Sequence, residues 1–448
     1  MPGWRWSWTP PGTGTWSWSP WTTWVDGHEG QVSATIDPEI GWVQEGLDHL
    51  ATLVDPALPG WSRTGFSVQD VEGRRWIAHQ MRAAGLSTHV DAVGNVIGTL
   101  EGTAPAAPAI VVGSHSDTVP GGGRFDGIVG VLGAIEVART LRRAGTRLTH
   151  ELRIVDFANE EGNPQGVKLV GSRATSGTLG HDHLQATDEG GVSLADLISR
   201  AGHSPEKVHT CRWDSAGIAA YLELHIEQGP VLERNGARIG VVTRVCGIST
   251  FHLDVHGRRD HAGTTPMATR SDAMCCAADA VLAVQRIAAA GRDTVGTVGA
   301  LTTTSPLTNV ISELARVTGE FRSPHMAGLR ALAEELEADI PRLDAAHRTT
   351  SSLAWGHTDP PAVMDRHLSA IVAGAAATVG HEAVRLYSGA THDSVQMSQL
   401  APTAMIFVPS AGGRSHCPEE WTELADIEQG VRVLIQAVLD VDTGFAGS

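Results

Sequence analysis

From about residue 36 the chain alternates short apolar runs with stretches whose apolar positions recur at the helical period. Residues 109–113 (AIVVG) form a β-branched run that leads into a polar turn, SHSDTVPGGGRFDG. A helix is predicted next, over 128–144, with Leu132, Ile135, Ala138 and Leu141 on one face. Arg139, Arg142 and Arg143 near its end suit the helix dipole, and Gly145 reads as its stop. The unit is strand, loop, helix. Residues 152–157 then deliver NEEG, and 404–408 deliver PSAGGRSHCPEEW, each at the end of an apolar run. Ligands gather at the carboxyl ends of strands in open parallel sheets, so these three polar loops are expected to converge on one edge.

Between about 245 and 356 the pattern changes. STFHLDVHG opens a β-rich stretch, a helix is predicted over 272–290, strands near Val295 and Val317, and a second helix over 326–340. Two βαβ-like halves of this size imply a small α+β insert of ferredoxin-like build, after which the main domain resumes near Met364. At 448 residues the chain is also longer than one hydrophobic core usually organises. The expected fold is α/β. A mixed, mostly parallel sheet flanked by helices is assembled from 33–244 and 357–448, and the α+β insert at 245–356 interrupts it.

The first 32 residues stand apart. Trp4, Trp6, Trp8, Trp16, Trp18, Trp21 and Trp24 sit among Pro, Gly, Ser and Thr without apolar periodicity, which predicts a disordered extension. The sharper alternative is a tryptophan arm that docks on a neighbouring subunit. Arg5 is the sole early cation and no apolar core follows it, so no secretory signal is expected, and no later run reads as long enough to span a bilayer. A net charge of -17 without a basic stripe argues against nucleic acid or a membrane as partner. A small anionic substrate would then need a local arginine or metal. Cys211, Cys246, Cys275, Cys276 and Cys417 form no CxxC pair, as expected of reduced thiols in a cytoplasmic enzyme.

The polar loops carry the candidate chemistry. Taken singly, His115 in HSD, Asp126 in FDG, the pair Glu160 and Glu161, and His225 in ELHIEQG each have a bland reading as surface, turn or strand residues. Together with His416 they meet a specific need. A two-metal hydrolase requires neutral imidazoles and carboxylates around two ions about 3.5–4 Å apart, one carboxylate shared between them, and one base left free for the water proton. Adjacent carboxylates at a strand end point different ways, so Glu160 and Glu161 can divide those roles. Asp117 can accept the distal N–H of the His115 ring and fix its tautomer.

The segments GSHSDTVPGGGRFDG, NEEG, GSRA, ELHIEQGPVLE, DHAGTTPM, TNVI, FR, SGATHD and MIFVPSAGGRSHCPEEW occur in this order. In this the chain resembles the N-carbamoyl-L-amino-acid hydrolase and allantoate amidohydrolase family of aminoacylase-type dinuclear zinc hydrolases, over nearly everything from about residue 36 onward. The resemblance implies a catalytic main domain, a lid and dimerisation role for the insert, and His115, Asp126 (bridging), Glu161, His225 and His416 as metal ligands. It implies Glu160 as the general base and His261 of DHAG as a residue swung over the neighbouring subunit's metals to stabilise the oxyanion. It further implies Asn309 and Arg322 as the grip on a substrate carboxylate, with Gln228 and His392 lining the pocket.

The implied cofactors are two divalent ions of zinc type, with Mn2+, Co2+ or Ni2+ acceptable to the same donors. The implied partners are a small ureido acid and a second copy of the chain in a homodimer. Asn159 before the glutamate pair, GEFR, and Thr391 in the SGATHD loop depart from the common pattern without removing a ligand or base. The favoured substrates are N-carbamoyl-L-amino acids. Allantoate or 3-ureidopropionate comes next, an acyl-amino acid or dipeptide after that, and a non-catalytic binding protein last.

Overall fold

The computed structural model describes residues 37–445; the tryptophan-rich segment and the role expected of it lie outside them. The main sheet takes Ser87–Val90 (β1), Val96–Leu100 (β2), Ala109–His115 (β3), Leu152–Phe157 (β4), Ile218–Ile226 (β5) and Gly240–Val245 (β6) from before the insert. The insert contributes its own four strands, Gly247–His256 (β7), Val295–Thr303 (β8), Leu314–Ser323 (β9) and Thr350–Asp359 (β10). Ala362–Val363 (β11), Val384–Ser388 (β12) and Thr403–Val408 (β13) then return to the main sheet. Its order is β1-β2-β4-β3-β5-β13-β6-β11, with β12 alongside β6. β4, β3, β5 and β13 at its centre are parallel, and antiparallel pairings extend it on both sides.

Every residue of β3, β5 and β13 is buried, because helices or loops cover both faces. Ile110, Val112, Leu224 and Ile406 join one core, whereas Val111, Phe157 and Tyr221 join another on the opposite face. Two-sided burial is why these strands read as continuous apolar runs rather than as alternating ones.

The helix Ile128–Arg143 ends as expected: Gly145 is left-handed (φ 68°) and the Thr146 amide donates to the Leu141 carbonyl at 2.9 Å. Its single apolar face does not hold. All of Ile128–Ala138 is buried, on every side, because the helix lies between the sheet and the helices Ile40–Leu50 and Leu424–Phe445. Gly130 makes this possible, since a Cβ there would lie 2.3 Å from the Leu224 carbonyl oxygen.

The insert forms an antiparallel sheet, β10-β7-β9-β8, with the helices Ala273–Ala290 and Met326–His347 packed on it around Phe251, Val317, Phe321 and Leu336. The connectivity is βαββαβ, the ferredoxin-like pattern. Two expectations need correction. Helix Ala273–Ala290 is, by length and composition alone, apolar enough to cross a membrane, but its alanine-rich face with Val284 and Ile287 is buried on the insert's own sheet. The second helix runs through Pro341 to His347 instead of stopping at Ile340. Buried Leu343 and the Asp344 carboxylate, which accepts hydrogen bonds from Thr349, the Ser351 amide and the Ser351 hydroxyl, hold the last two turns despite the lost backbone donor.

Arg63 is 1% exposed and ties the start of the chain to the loop after β3. Its guanidinium donates to the carbonyls of Leu50 (2.7 Å) and Ser116 (2.7 and 2.9 Å), while its backbone amide donates to the Thr118 hydroxyl. Arg63→Met keeps the aliphatic stem but leaves those carbonyls unsatisfied, at a cost of roughly 3 kcal/mol or more. The expected drop in unfolding midpoint is about 3 °C or more by scanning calorimetry, against a negligible change for Arg75→Met on the exposed side of the next helix.

Candidate metal centre

The parallel strands bring their polar carboxyl ends together. β3 ends at His115; the loop after it returns to Asp126 just before helix Ile128–Arg143; β4 leads to Glu160 and Glu161; β5 carries His225 in its last turn of pleat; and the loop after β13 brings in His416. Asn159 is left-handed (φ 50°), a conformation that asparagine tolerates better than most residues, and its side chain donates to the Gly162 carbonyl. The departure at Asn159 therefore has a local backbone reason.

Asp126 stands between two groups. With His115 and His225 it forms one candidate metal site, and with Glu161 and His416 a second, the donor atoms of each group lying within 4.8 Å of one another. Its Oδ1 is 3.2 Å from His225 Nε2 and 3.9 Å from His115 Nε2; its Oδ2 is 3.3 Å from His416 Nε2. Glu161 lies 3.4 Å from His416 Nε2. Asp126 Oδ1 and His225 Nε2 are both buried without a hydrogen bond. Unsatisfied buried donors and acceptors of this kind fit a cation, and the imidazole and carboxylate set suits zinc-type ions. Glu160 belongs to neither group. It is buried, 3.8 Å from His115 Nε2.

The electrostatics follow from crowding charged groups in a dry place. Burial raises the Glu160 carboxyl well above its ordinary value, and Glu161 adds to the rise. Burial works against ionised Asp126 too, but His225 and His416 outweigh it and hold that carboxyl well below the usual range. For His225 burial lowers the proton affinity, yet Asp126 reverses this and brings the ring to about 9. His416 is lifted to about 10 by Asp126 and Glu161. An ion and a proton compete for the same Nε2 atoms, so these are the imidazoles an ion would deprotonate.

A supporting shell holds the donors. The Asp117 carboxylate accepts the backbone amides of Glu160 (3.1 Å) and Glu161 (3.2 Å). The His115 ring Nδ1 is 3.1 Å from the Asp117 backbone carbonyl and 3.7 Å from its carboxylate. The expected tautomer-fixing contact is therefore made by the carbonyl, because the carboxylate is already committed to the glutamate loop. Glu420, in the PEEW segment, supports the loop that carries Asp126. It is 1% exposed, accepts the amides of Phe125 and Asp126, and takes the Ser415 hydroxyl at 2.6 Å.

Of the remaining expected residues, Gln228, Arg322 and His392 line one small cavity with the grouped residues. Gln228 Nε2 is 2.6 Å from Asp126 Oδ2, and His392 stacks edge-on against His225 with ring centroids 4.4 Å apart. Arg322, at the end of β9, donates to Glu320 and to the Gly389 carbonyl. His261 and Asn309 are exposed and outside that cavity; they lie together on the insert, where the Ala262 amide donates to the Asn309 carbonyl.

Sequence reasoning also missed Lys168 in the same cavity and Glu223 beneath it. Glu223 bonds Ser114, Tyr221 and the Ser394 amide, and it forms a third group with His225 and His392. A charged residue two positions before His225 in an apolar strand was the available signal, since both face the same side. A larger cavity, about 650 Å³, lies elsewhere beside helix Val68–Ala83 and contains none of the grouped residues.

Residues 85–440 match peptidase family M20/M25/M40. An N-carbamoyl-L-amino-acid amidohydrolase of Paenarthrobacter aurescens is 36% identical over 386 residues, covering 86% of this chain and 94% of that protein. A ureidoglycolate hydrolase of Oryza sativa subsp. japonica is 34% identical over 403 residues, covering 88% and 83% respectively. The crystal structure of an amidase of the hydantoinase/carbamoylase family from Burkholderia multivorans has a TM-score of 0.82 at 32% identity, covering 91% of this chain and 99% of that one.

Gly127 tests the geometry. It is left-handed (φ 68°), and a Cβ there would lie 2.4 Å from the His115 ring. Gly127→Ala is expected to lower metal affinity on the order of 10- to 100-fold, as for other disturbances of groups that orient ligands, with helix content preserved. Metal content by atomic emission, read beside circular dichroism, checks this; undiminished affinity would falsify the packing of His115 against residue 127.

Proposed function

The chain belongs to peptidase family M20/M25/M40, and on that premise we propose a dinuclear metal-dependent amidohydrolase that cleaves the ureido C–N bond of N-carbamoyl-L-amino acids. The enzyme class is a hydrolase of carbon–nitrogen bonds other than peptide bonds, the class named for its relatives. The observation that carries the reading is the sharing of buried Asp126 between two ligand groups, with buried Glu160 beside them and in neither.

His115 and His225 with Asp126 would hold one ion, and Glu161 and His416 with Asp126 the other. Bound there, the pair would supply a polarised carbonyl and an acidified water. Glu160 takes the proton from the attacking water and returns it to the nitrogen that leaves. The bond to the amino acid breaks, and the carbamate that remains decomposes to carbon dioxide and ammonia. Arg322 grips the substrate carboxylate by its planar fork, and Gln228 and His392 line the pocket.

His261 and Asn309, exposed on the insert, are assigned to the site of a second subunit in a homodimer, with His261 donating to the oxyanion and Asn309 to the carboxylate. A cytoplasmic setting fits five cysteines that are all free. A second reading, hydrolysis of ureidoglycolate or allantoate, is favoured by the 34% identity to the rice ureidoglycolate hydrolase.

Ammonia release from N-carbamoyl-L-amino acids, 3-ureidopropionate, allantoate and ureidoglycolate separates the two readings. Faster turnover of the last two would replace the first reading by the second. Glu160→Gln should lower kcat by at least about 10²- to 10⁴-fold with metal content unchanged; residual activity near wild type removes Glu160 from the base role. Mixed dimers of Glu160→Gln and His261→Ala protomers are expected to recover part of the lost activity. Absence of recovery after demonstrated subunit exchange would refute the shared site.

A further inference from the structure

We propose, resting on the ureido-acid reading above, that Lys168 selects substrates with a second carboxylate: N-carbamoyl derivatives of acidic amino acids, held by Arg322 at one carboxylate and by Lys168 at the other. Lys168 and Arg322 line the same cavity as the two ligand groups, and they reach it from different parts of the chain. Lys168 comes from the loop after β4, and Arg322 from the end of β9 in the insert.

The position of Lys168 is set by the loop that carries Glu160. The Leu169 amide donates to the Glu160 carbonyl (2.9 Å), and the Val170 amide donates to the Asn159 carbonyl (3.1 Å). Gly162 is left-handed (φ 106°), and a Cβ there would come within 3.0 Å of Lys168 Cγ, so the bare glycine leaves room for the lysine stem. The stem is thus directed along the catalytic loop. Its ammonium forms no ion pair among the described residues, although its charge is felt at Glu160.

A monocarboxylate substrate is satisfied by one cation, and Arg322 supplies it. Lys168 is exposed, so its ammonium stands at the mouth of a cavity that already holds three carboxylates, Asp126, Glu160 and Glu161, and a single substrate carboxylate does not need it. A second substrate carboxylate is the group that uses it. Lysine suits the task because a point charge on a flexible stem can meet a carboxylate at the reach of either an aspartyl or a glutamyl side chain.

The test compares kcat/KM of the metal-loaded enzyme for N-carbamoyl-L-aspartate, N-carbamoyl-L-glutamate and N-carbamoyl-L-methionine. At least one acidic derivative should be preferred by about tenfold or more. Lys168→Met should lower kcat/KM for it by on the order of 10- to 100-fold, chiefly through KM, and leave the methionine derivative within about threefold. Lys168→Arg should restore most of the loss. A wild-type preference for the methionine derivative overturns the inference, as does an equal loss for all three substrates in Lys168→Met, which would place Lys168 in the service of Glu160. Turnover of the neutral derivative without gain for the acidic ones overturns this inference alone. Failure to cleave any of the three overturns the underlying reading as well.

Discussion

The structure depends on keeping Asp126 ionised at 2% exposure. A buried carboxylate is costly unless it is paired, and here the pairing comes from three imidazoles, two at strand ends and one in the loop after β13. That requirement explains much of the architecture. The parallel order β4-β3-β5-β13 places the loops on one edge, and Gly127 lets the chain turn into the helix Ile128–Arg143 within reach of the His115 ring. Glu420 holds the amides of Phe125 and Asp126 from the far end of the sequence. Without such supports the carboxylates of Asp126, Glu160 and Glu161 would repel one another apart, and neither ligand group would be preformed.

Beneath the donors lies a second buried ionic layer. Arg74 pairs with Asp70 at 3.0 Å and Asp156 at 3.1 Å, and lies 3.6 Å from Asp117, the residue that holds the Glu160 and Glu161 amides. Burial nevertheless brings Asp117 to about 6 and Asp156 to about 7, because one guanidinium serves three carboxylates. Arg74 therefore links helix Val68–Ala83 to the position of the loop that carries Glu160 and Glu161, and the candidate metal centre extends physically well below its first ring of side chains.

How much of this was legible depended on range. The strand–loop–helix units could be read because apolar runs and polar loop ends are local signals, whereas the five grouped residues were legible only as a set and through the ordered motifs that resemble one family. The all-round burial of helix Ile128–Arg143 was not, since it comes from two helices distant in sequence. Helix Met326–His347 passes Pro341 because tertiary packing outweighs a local breaker. The Asp117 contact is made by its backbone carbonyl, and two-residue spacing does not reveal which acceptor is already engaged. Glu420 looks like a surface charge in the sequence, and only the fold buries it beside Asp126; Lys168 does stay exposed, but at the edge of the site's cavity.

Arg322, the proposed grip on the substrate carboxylate, also helps to place the insert. Its Nη1 donates to the Gly389 carbonyl of the main domain and its Nε to Glu320, so the residue assigned to the substrate carboxylate also fastens β9 to the loop before His392. The cavity these residues line is about 50 Å³, far below the roughly 300 Å³ at which small-molecule sites begin. A ureido acid needs these walls further apart, and Arg322 stands on the wall that the insert contributes. An anionic ligand would compensate the guanidinium for the loss of Gly389, whereas a neutral one would leave a strong donor unpaired. On the proposed function, opening the cavity and recognising charge become one event, carried by a single side chain at the seam between the two sheets.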